Sequence, residues 1–252
     1  MAKTDKTDRR AVIDQMRAKQ KSAERRRGFT IVGVCIALAL LIVGAAAYSP
    51  IKNWWDLRQF NDIALEKIGS PANVCEKVTT KKATGTQDHV PVNTDVPYED
   101  SPPAFGQHWD EWDVRFDRKM YTSSDRPDVE RLVHNLEHGY TILWYDDSIA
   151  DDDTQLTELR AIAKKMDGQP DNDRTKFKAV PWKKDDGKPF PGGAHIAFSH
   201  WSVGGAGESD AEKQVGVWQY CDKVSGEALK EFMLEYPYMD SPEPNASDRG
   251  EE

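Results

Sequence analysis

The feature that most constrains the fold is one uninterrupted apolar stretch, residues 29–48, which contains no charged side chain. A helix of this length spans about 30 Å, the thickness of the hydrocarbon core of a bilayer. Three arginines at positions 25–27 directly precede it, and basic residues collect on the cytoplasmic side of membrane helices. The stretch therefore predicts a single-pass anchor in the cell membrane, with a cytoplasmic N-terminus and an extracytoplasmic C-terminal domain. A cleaved signal peptide is the alternative, although its apolar core usually holds only about 7–15 residues.

Charge divides the chain into two parts. Residues 1–28 contain ten Lys/Arg and four Asp/Glu, whereas the whole chain carries a formal net charge of −9 and the remainder therefore −15. The basic segment favours a cytoplasmic region beside anionic lipid, either as an amphipathic helix on the bilayer or as a solvated tail that only sets orientation. The acidic remainder would repel phosphate groups, so we expect no nucleic-acid partner.

The chain after the apolar stretch is long enough for one well-packed domain. Apolar residues with helical spacing predict helices, and runs of β-branched and aromatic residues predict strands. The predicted fold class is α+β, a small mixed β-sheet packed by helices and preceded by the single transmembrane helix. The predicted segments are a basic cytoplasmic region (1–28), a transmembrane helix (29–48), a juxtamembrane helix or stalk (49–70), the extracytoplasmic domain (71–239) and an acidic disordered tail (240–252). Within the domain, helices are predicted at 127–138, 154–166 and 226–236, main strands at 140–145, 177–180 and 196–200, and short strands around 89–92 and 114–116.

The chain has three cysteines, and one of them, Cys35, lies inside the apolar stretch. The other two, Cys75 and Cys221, lie near the two ends of the predicted outer domain. An oxidising compartment would join them as a disulfide, and we favour this pairing over two unrelated buried thiols.

The densest group of reactive side chains is His134-x-x-Glu137-His138, at the end of the predicted helix 127–138. Residues four apart share one face of a helix, so the two imidazoles should lie together. Gly139 follows directly and permits the left-handed conformation that ends many helices. The spacing matches the inverted zinc-protease signature, but that motif usually lies in mid-helix and requires a third ligand and an activated water. A metallohydrolase is therefore the least favoured reading, and we predict a non-catalytic protein.

A metal site without hydrolysis needs further ligands in addition to His134 and His138. His108 is the predicted third ligand, and Met120 is a candidate for the fourth. Imidazoles with a thioether would suit copper, whereas imidazoles with Glu137 would suit zinc. The alternative is that the histidines are structural, because a histidine at a helix C-terminus can bond the last carbonyls.

Two motifs together resemble a known family. They are Pro102-Pro103-x-x-Gly106-x-His108 and the run of residues 134–139, HNLEHG, preceded by a basic tail and one membrane anchor. The chain is similar, over about residues 70–236, to an uncharacterised bacterial domain family that is common in actinobacteria, with the pattern PPTSGPH followed by HALEHGGV. It departs from that pattern at positions 104, 105, 107 and 140.

One member of that family is an accessory subunit of the actinobacterial cytochrome bcc–aa3 respiratory supercomplex. The resemblance implies a membrane-anchored, non-catalytic accessory or assembly subunit with the cytochrome bcc and aa3 oxidase subunits as partners. Its domain would cover the outer face of the oxidase or bridge the two complexes. A copper- or zinc-binding extracytoplasmic protein, for metal delivery or storage, is the alternative function.

Overall fold

The computed structural model describes residues 2–84, 87–113, 118–167, 172–208 and 210–246, and the side chains of residues 2–12, 14, 18 and 23 are not described. The chain divides into two units, Met1–Asp56 and Leu57–Glu252. The strand predicted around 114–116 lies outside the described residues.

The first unit consists of a long helix, α1 (Ala2–Leu57). It is the one helix of the described chain that is long and apolar enough to cross a membrane. Its apolar side chains are exposed along the whole stretch, for example Phe29 at 78% and Leu41 at 69%. A helix that is apolar all round requires apolar surroundings, which is compatible with a membrane anchor or a signal sequence.

The second unit is built on a five-stranded sheet with the order β1-β7-β6-β4-β5. Neighbouring strands are antiparallel except for β4 and β5, which are parallel. This mixed sheet with helices confirms the predicted α+β class. The strands are β1 (Thr79–Lys82), β4 (Thr141–Tyr145), β5 (Phe177–Pro181), β6 (Ile196–Ser202) and β7 (Val215–Cys221), and a separate two-stranded parallel ladder consists of β2 (His89–Val90) and β3 (His108–Trp109).

Helices cover both faces of the sheet. One face packs against α2 (Val129–Glu137), whose Leu132, Val133 and Leu136 are fully buried. The other face packs against α4 (Asp153–Met166) and α5 (Gly226–Glu235), and the short α3 (Asp147–Ala150) precedes α4. Side chains of β4 alternate between the two cores, which is the pattern of a strand buried on both faces.

Two features tie the ends of the domain to the sheet. Cys75 and Cys221 form a disulfide between the segment before β1 and the end of β7. The start of the predicted tail also packs on the domain, since Asp240 and Ser241 are each only 3% exposed. The Asp240 carboxylate accepts hydrogen bonds from the hydroxyl of Ser202 and from the amides of Val203 and Gly205. Residues 240–246 therefore belong to the folded domain, and residues 247–252 lie outside the described chain.

Candidate metal centre

The reactive side chains lie at the C-terminal end of helix α2, which Gly139 terminates. Gly139 adopts a φ of +85°, and a Cβ atom there would lie 2.3 Å from the carbonyl oxygen of Tyr238. Only glycine combines this conformation with so close an approach of a neighbouring backbone. The helix therefore stops at Glu137, and His134 and Glu137 remain on its last turns beside the start of β4.

The short ladder of β2 and β3 brings two further histidines to the end of α2. His89 lies directly opposite His108 in the parallel register. The side chain of His108 is fully buried, whereas that of His89 is 38% exposed. The imidazole of His89 stacks on that of His134 with ring centroids 4.6 Å apart.

Three imidazole nitrogens surround one carboxylate oxygen. The Oε2 atom of Glu137 lies 3.0 Å from Nε2 of His108, 3.5 Å from Nε2 of His89 and 3.9 Å from Nε2 of His134. The four ligand atoms all lie within 4.8 Å of one another. The other oxygen of this carboxylate, Oε1, accepts a hydrogen bond from Nε2 of Gln87 at 2.8 Å.

The opposite ring nitrogen of each histidine faces an oxygen outside the group. Nδ1 of His108 lies 2.8 Å from the carbonyl of Gly106, and Nδ1 of His134 lies 2.7 Å from the carbonyl of Trp109. Nδ1 of His89 lies 3.2 Å from the carboxylate of Asp110. A carbonyl oxygen can only accept, so Nδ1 of His108 and of His134 carries the hydrogen. This arrangement orients the rings and turns the Nε2 atoms inward, as outer partners do around metal-bound histidines.

Burial sets the charge of the group. Burial, together with the neighbouring His108, lowers the pKa of His134 to about 4, so its ring is neutral at physiological pH. For Glu137, burial raises the pKa, but the hydrogen bond and charge of His108 outweigh it and hold the pKa below its ordinary value. The group therefore presents a buried carboxylate and imidazole nitrogens to one small volume.

His138 turns to a different set of partners. Its side chain is 3% exposed, and Nε2 lies 3.7 Å from Oε2 of Glu243. Glu137, His138 and Glu243 form a second group whose ligand atoms lie within 4.8 Å of one another. Burial is the main cause that lowers the pKa of His138 to about 3. The indole of Trp112 packs beside both imidazoles, with ring centroids 5.0 Å from His138 and 5.1 Å from His134.

The structure therefore brings three of the residues proposed from sequence into one group, His108, His134 and Glu137. It places His138 in the adjacent group. Met120 pairs with Ala179 at the sheet edge and packs in the core that contains α4 and α5, on the opposite face of the sheet from α2. The Met120 thioether is thus not assembled with these imidazoles.

Sequence reasoning did not assign His89 and Glu243. The only local signal for His89 was the short strand expected around 89–92, and a strand alone does not give the register that faces it to His108. Glu243 lay in the segment expected to be disordered.

A family model described as "Protein of unknown function (DUF3105)" matches residues 89–250. The chain belongs to the DUF3105 family. The matched region begins at His89 and includes every residue of both groups. No curated protein and no solved structure matches the chain.

Proposed function

We propose that the outer domain is a non-catalytic metal-binding domain that holds one divalent ion of the zinc type through His89, His108, His134 and Glu137. The single observation that supports this most strongly is the convergence of three Nε2 atoms on one carboxylate oxygen. With an ion bound, all four atoms would donate electron pairs to it, and Nε2 of His108, which donates a hydrogen bond to Glu137, would release its proton to solvent.

The spacing of these atoms fits a tetrahedral ion. Ligands at about 2.0–2.1 Å from zinc in a tetrahedron lie about 3.3 Å from one another. The distances from Glu137 Oε2 to the three nitrogens, 3.0, 3.5 and 3.9 Å, lie around that value. Only small side-chain movements would be needed to bring the four atoms to ideal separations.

The donor set favours zinc over copper. Imidazole and carboxylate ligands suit Zn²⁺, whereas the copper hypothesis depended on the thioether of Met120, which packs on the other side of the sheet. Cys75 and Cys221 are joined to each other, so neither supplies a thiolate. Cu²⁺ would still compete for three imidazoles, since it stands above zinc in the general affinity order.

The same geometry argues against a metallohydrolase. Such an enzyme uses three protein ligands and leaves a position for water. Here Glu137, which would have to activate that water, is itself among the four ligands. The two histidines of the motif also belong to different groups, so they would not hold a single ion together. A closed four-ligand site fits metal storage, delivery or structural support.

The domain is proposed to act at the outer face of the cell membrane. The apolar stretch of α1 would anchor the domain, and the Cys75–Cys221 disulfide suits an oxidising compartment. Attachment to the respiratory cytochrome bcc–aa3 supercomplex is a second proposal, favoured by a membrane helix whose apolar side chains are exposed along its length. A tagged pull-down from native membranes in mild detergent tests it. Stoichiometric a-, b- and c-type haem in the eluate would support it, and a haem-free eluate would exclude it.

The metal proposal is tested by metal analysis of the purified full-length chain in detergent. We expect about one tightly held zinc per chain, its loss in His134→Asn, and its retention in His195→Asn. His195 is a matched control because it lies just before β6, is 41% exposed and pairs with Asp146 away from the site. The proposal fails if the wild-type protein binds no divalent ion, or if both variants bind as the wild type does.

A further inference from the structure

We infer that Glu137, His138 and Glu243 form a second divalent-cation site that shares the Glu137 carboxylate with the first. This inference rests on the proposed function, because Glu137 belongs to both groups. Carboxylates commonly bridge ions that lie about 3.5–4 Å apart in two-metal sites. The centre would then hold two ions, one buried among three histidines and one nearer to the surface.

His138 provides the first independent support. Its ring is buried and makes no hydrogen bond to a described residue: Nδ1 has no partner, and Nε2, the nitrogen that would bind the ion, lies 3.7 Å from Oε2 of Glu243. Burying a polar atom without a partner is unfavourable, so natural domains keep few such atoms unless they serve a ligand. The ammonium of Lys176 donates to the backbone carbonyl of His138.

The position of Glu243 provides the second support. Its amide donates to the carbonyl of Glu137 at 2.9 Å. The ammonium of Lys176 donates to the carbonyls of both His138 and Pro244, at 2.9 and 3.0 Å. These backbone contacts hold the carboxylate of Glu243 beside His138 without any ion. The 3.7 Å separation of Glu243 Oε2 from His138 Nε2 is too long for a hydrogen bond and suits two ligands of one ion.

The charges agree with a cation between the two carboxylates. The carboxylates of Glu137 and Glu243 both belong to this group, whose ligand atoms lie within 4.8 Å of one another, so two like charges repel each other at short range. A divalent ion between Glu137 and Glu243 would convert this repulsion into attraction. The two carboxylates and one imidazole leave room for water ligands, which is the donor set of an exchangeable Zn²⁺ site.

The two sites should differ in affinity. The first has four protein ligands, three of them almost fully buried, whereas the side chain of Glu243 is 51% exposed. Fewer protein ligands and more solvent weaken binding, so we expect the second ion to bind at least 10-fold more weakly. A weaker outer site beside a tight inner one would suit a protein that accepts and releases metal.

The experiment is equilibrium dialysis of the metal-stripped, full-length chain in detergent against Zn²⁺ alone at neutral pH. We expect two ions per wild-type chain, filled in two steps, and one ion per chain in Glu243→Gln. Because Glu243 is half-exposed, this isosteric change should leave the fold intact, which circular dichroism verifies. Glu231→Gln, at an exposed position on α5, is the control and should retain two ions.

The possible failures are distinguishable. One ion per chain in both the wild type and Glu243→Gln would overturn the second site and leave the proposed function standing. Two ions in Glu243→Gln would place the second ion elsewhere and also overturn the inference. No bound ion in the wild type would overturn the proposed function and the inference with it.

Discussion

The Nε2 atom of His108 lies 3.0 Å from the Oε2 atom of Glu137, although 29 residues separate them in the chain. Both side chains are withdrawn from solvent, with exposures of 0% and 1%. A buried carboxylate without a compensating partner would be strongly unfavourable. The His108–Glu137 contact compensates the buried carboxylate, and Nε2 of His89 and of His134 face the same Glu137 oxygen and complete the group.

Replacing the shared carboxylate tests its part in metal binding. Glu137→Gln keeps the side-chain shape but removes the negative charge from the centre of three imidazoles. We expect the Zn²⁺ affinity to fall by at least about 10-fold, measured by competition with a chromophoric chelator. Glu130→Gln, in the first turn of the same helix, should bind as the wild type does. An unchanged affinity in Glu137→Gln would contradict the assigned ligand set.

Replacing Asp110, the outer hydrogen-bond partner of His89, should lower the Zn²⁺ affinity less than replacing Glu137. Asp110 orients this ring through Nδ1 at 3.2 Å, but its side chain is 72% exposed. Loss of such a partner typically weakens metal binding about 10–100-fold, and the exposed position should keep the loss in Asp110→Asn below this range and below that in Glu137→Gln. The same chelator competition measures it. A loss larger than that of Glu137→Gln would show that His89, and not the carboxylate, dominates the site.

The metal-free domain should lose stability in mild acid. Burial lowers the pKa of His134 to about 4, whereas the unfolded chain takes up this proton near pH 6.5. As the pH falls from 6.5 towards 4, the unfolded state therefore gains a proton that the folded state lacks, and the free energy of unfolding decreases. Between pH 7.5 and 5.0 the decrease should be about 2 kcal/mol for this residue, measured by urea unfolding with chelator present. His134→Gln should show a correspondingly shallower pH dependence, and an equal slope would contradict the neutral buried ring.

The disulfide should be a major source of stability for the domain. Cys75 and Cys221 are separated by 146 positions, and closing so long a loop restricts the unfolded chain strongly. In the chain-entropy model the loss in Cys75→Ser is about 5 kcal/mol, or roughly 10–20 °C in melting temperature. Cys35→Ser is the matched control, because Cys35 is free and exposed on α1. Equal melting temperatures for the two variants would exclude a stabilising bridge.

A buried ion pair between Lys178 and Asp113 is linked through Asn135 to α2, the helix that carries His134 and Glu137. The ammonium of Lys178 donates to the carboxylate of Asp113 at 2.8 Å, and the Tyr121 hydroxyl donates to the same oxygen. Asn135 holds the backbone of Asp113 from α2, next to Trp112. Asp113→Ala would remove the carboxylate that this buried ammonium bonds and should cost about 3–5 kcal/mol in urea unfolding.

The double variant separates the charge effect from packing. Asp113→Ala with Lys178→Met removes both charges and should recover a large part of the loss. If the double variant is as unstable as the sum of the two single variants, the pair does not act as a unit.

Several elements could be predicted from sequence because their signals are local. The apolar stretch 29–48 follows from an absence of charge, and it appears within α1. Helix α2 and strand β4 follow from the spacing of apolar residues and from Gly139 between them. The edge strand β1 was missed because its four residues, TTKK, are all exposed and lack the alternation that marks a half-buried strand.

The sequence by itself determined the long apolar helix, the α+β class and the placing of His134 and Glu137 on one helical turn, because each depends on neighbours within a few residues. Only the tertiary structure decided which partners complete the site. The parallel register of β2 and β3 brings His89 to His108, and the packing of the chain end brings Glu243 to His138. These contacts join residues far apart in the chain, and no local period or propensity encodes their register. The division of the histidine motif into two groups was therefore set by packing and not by spacing.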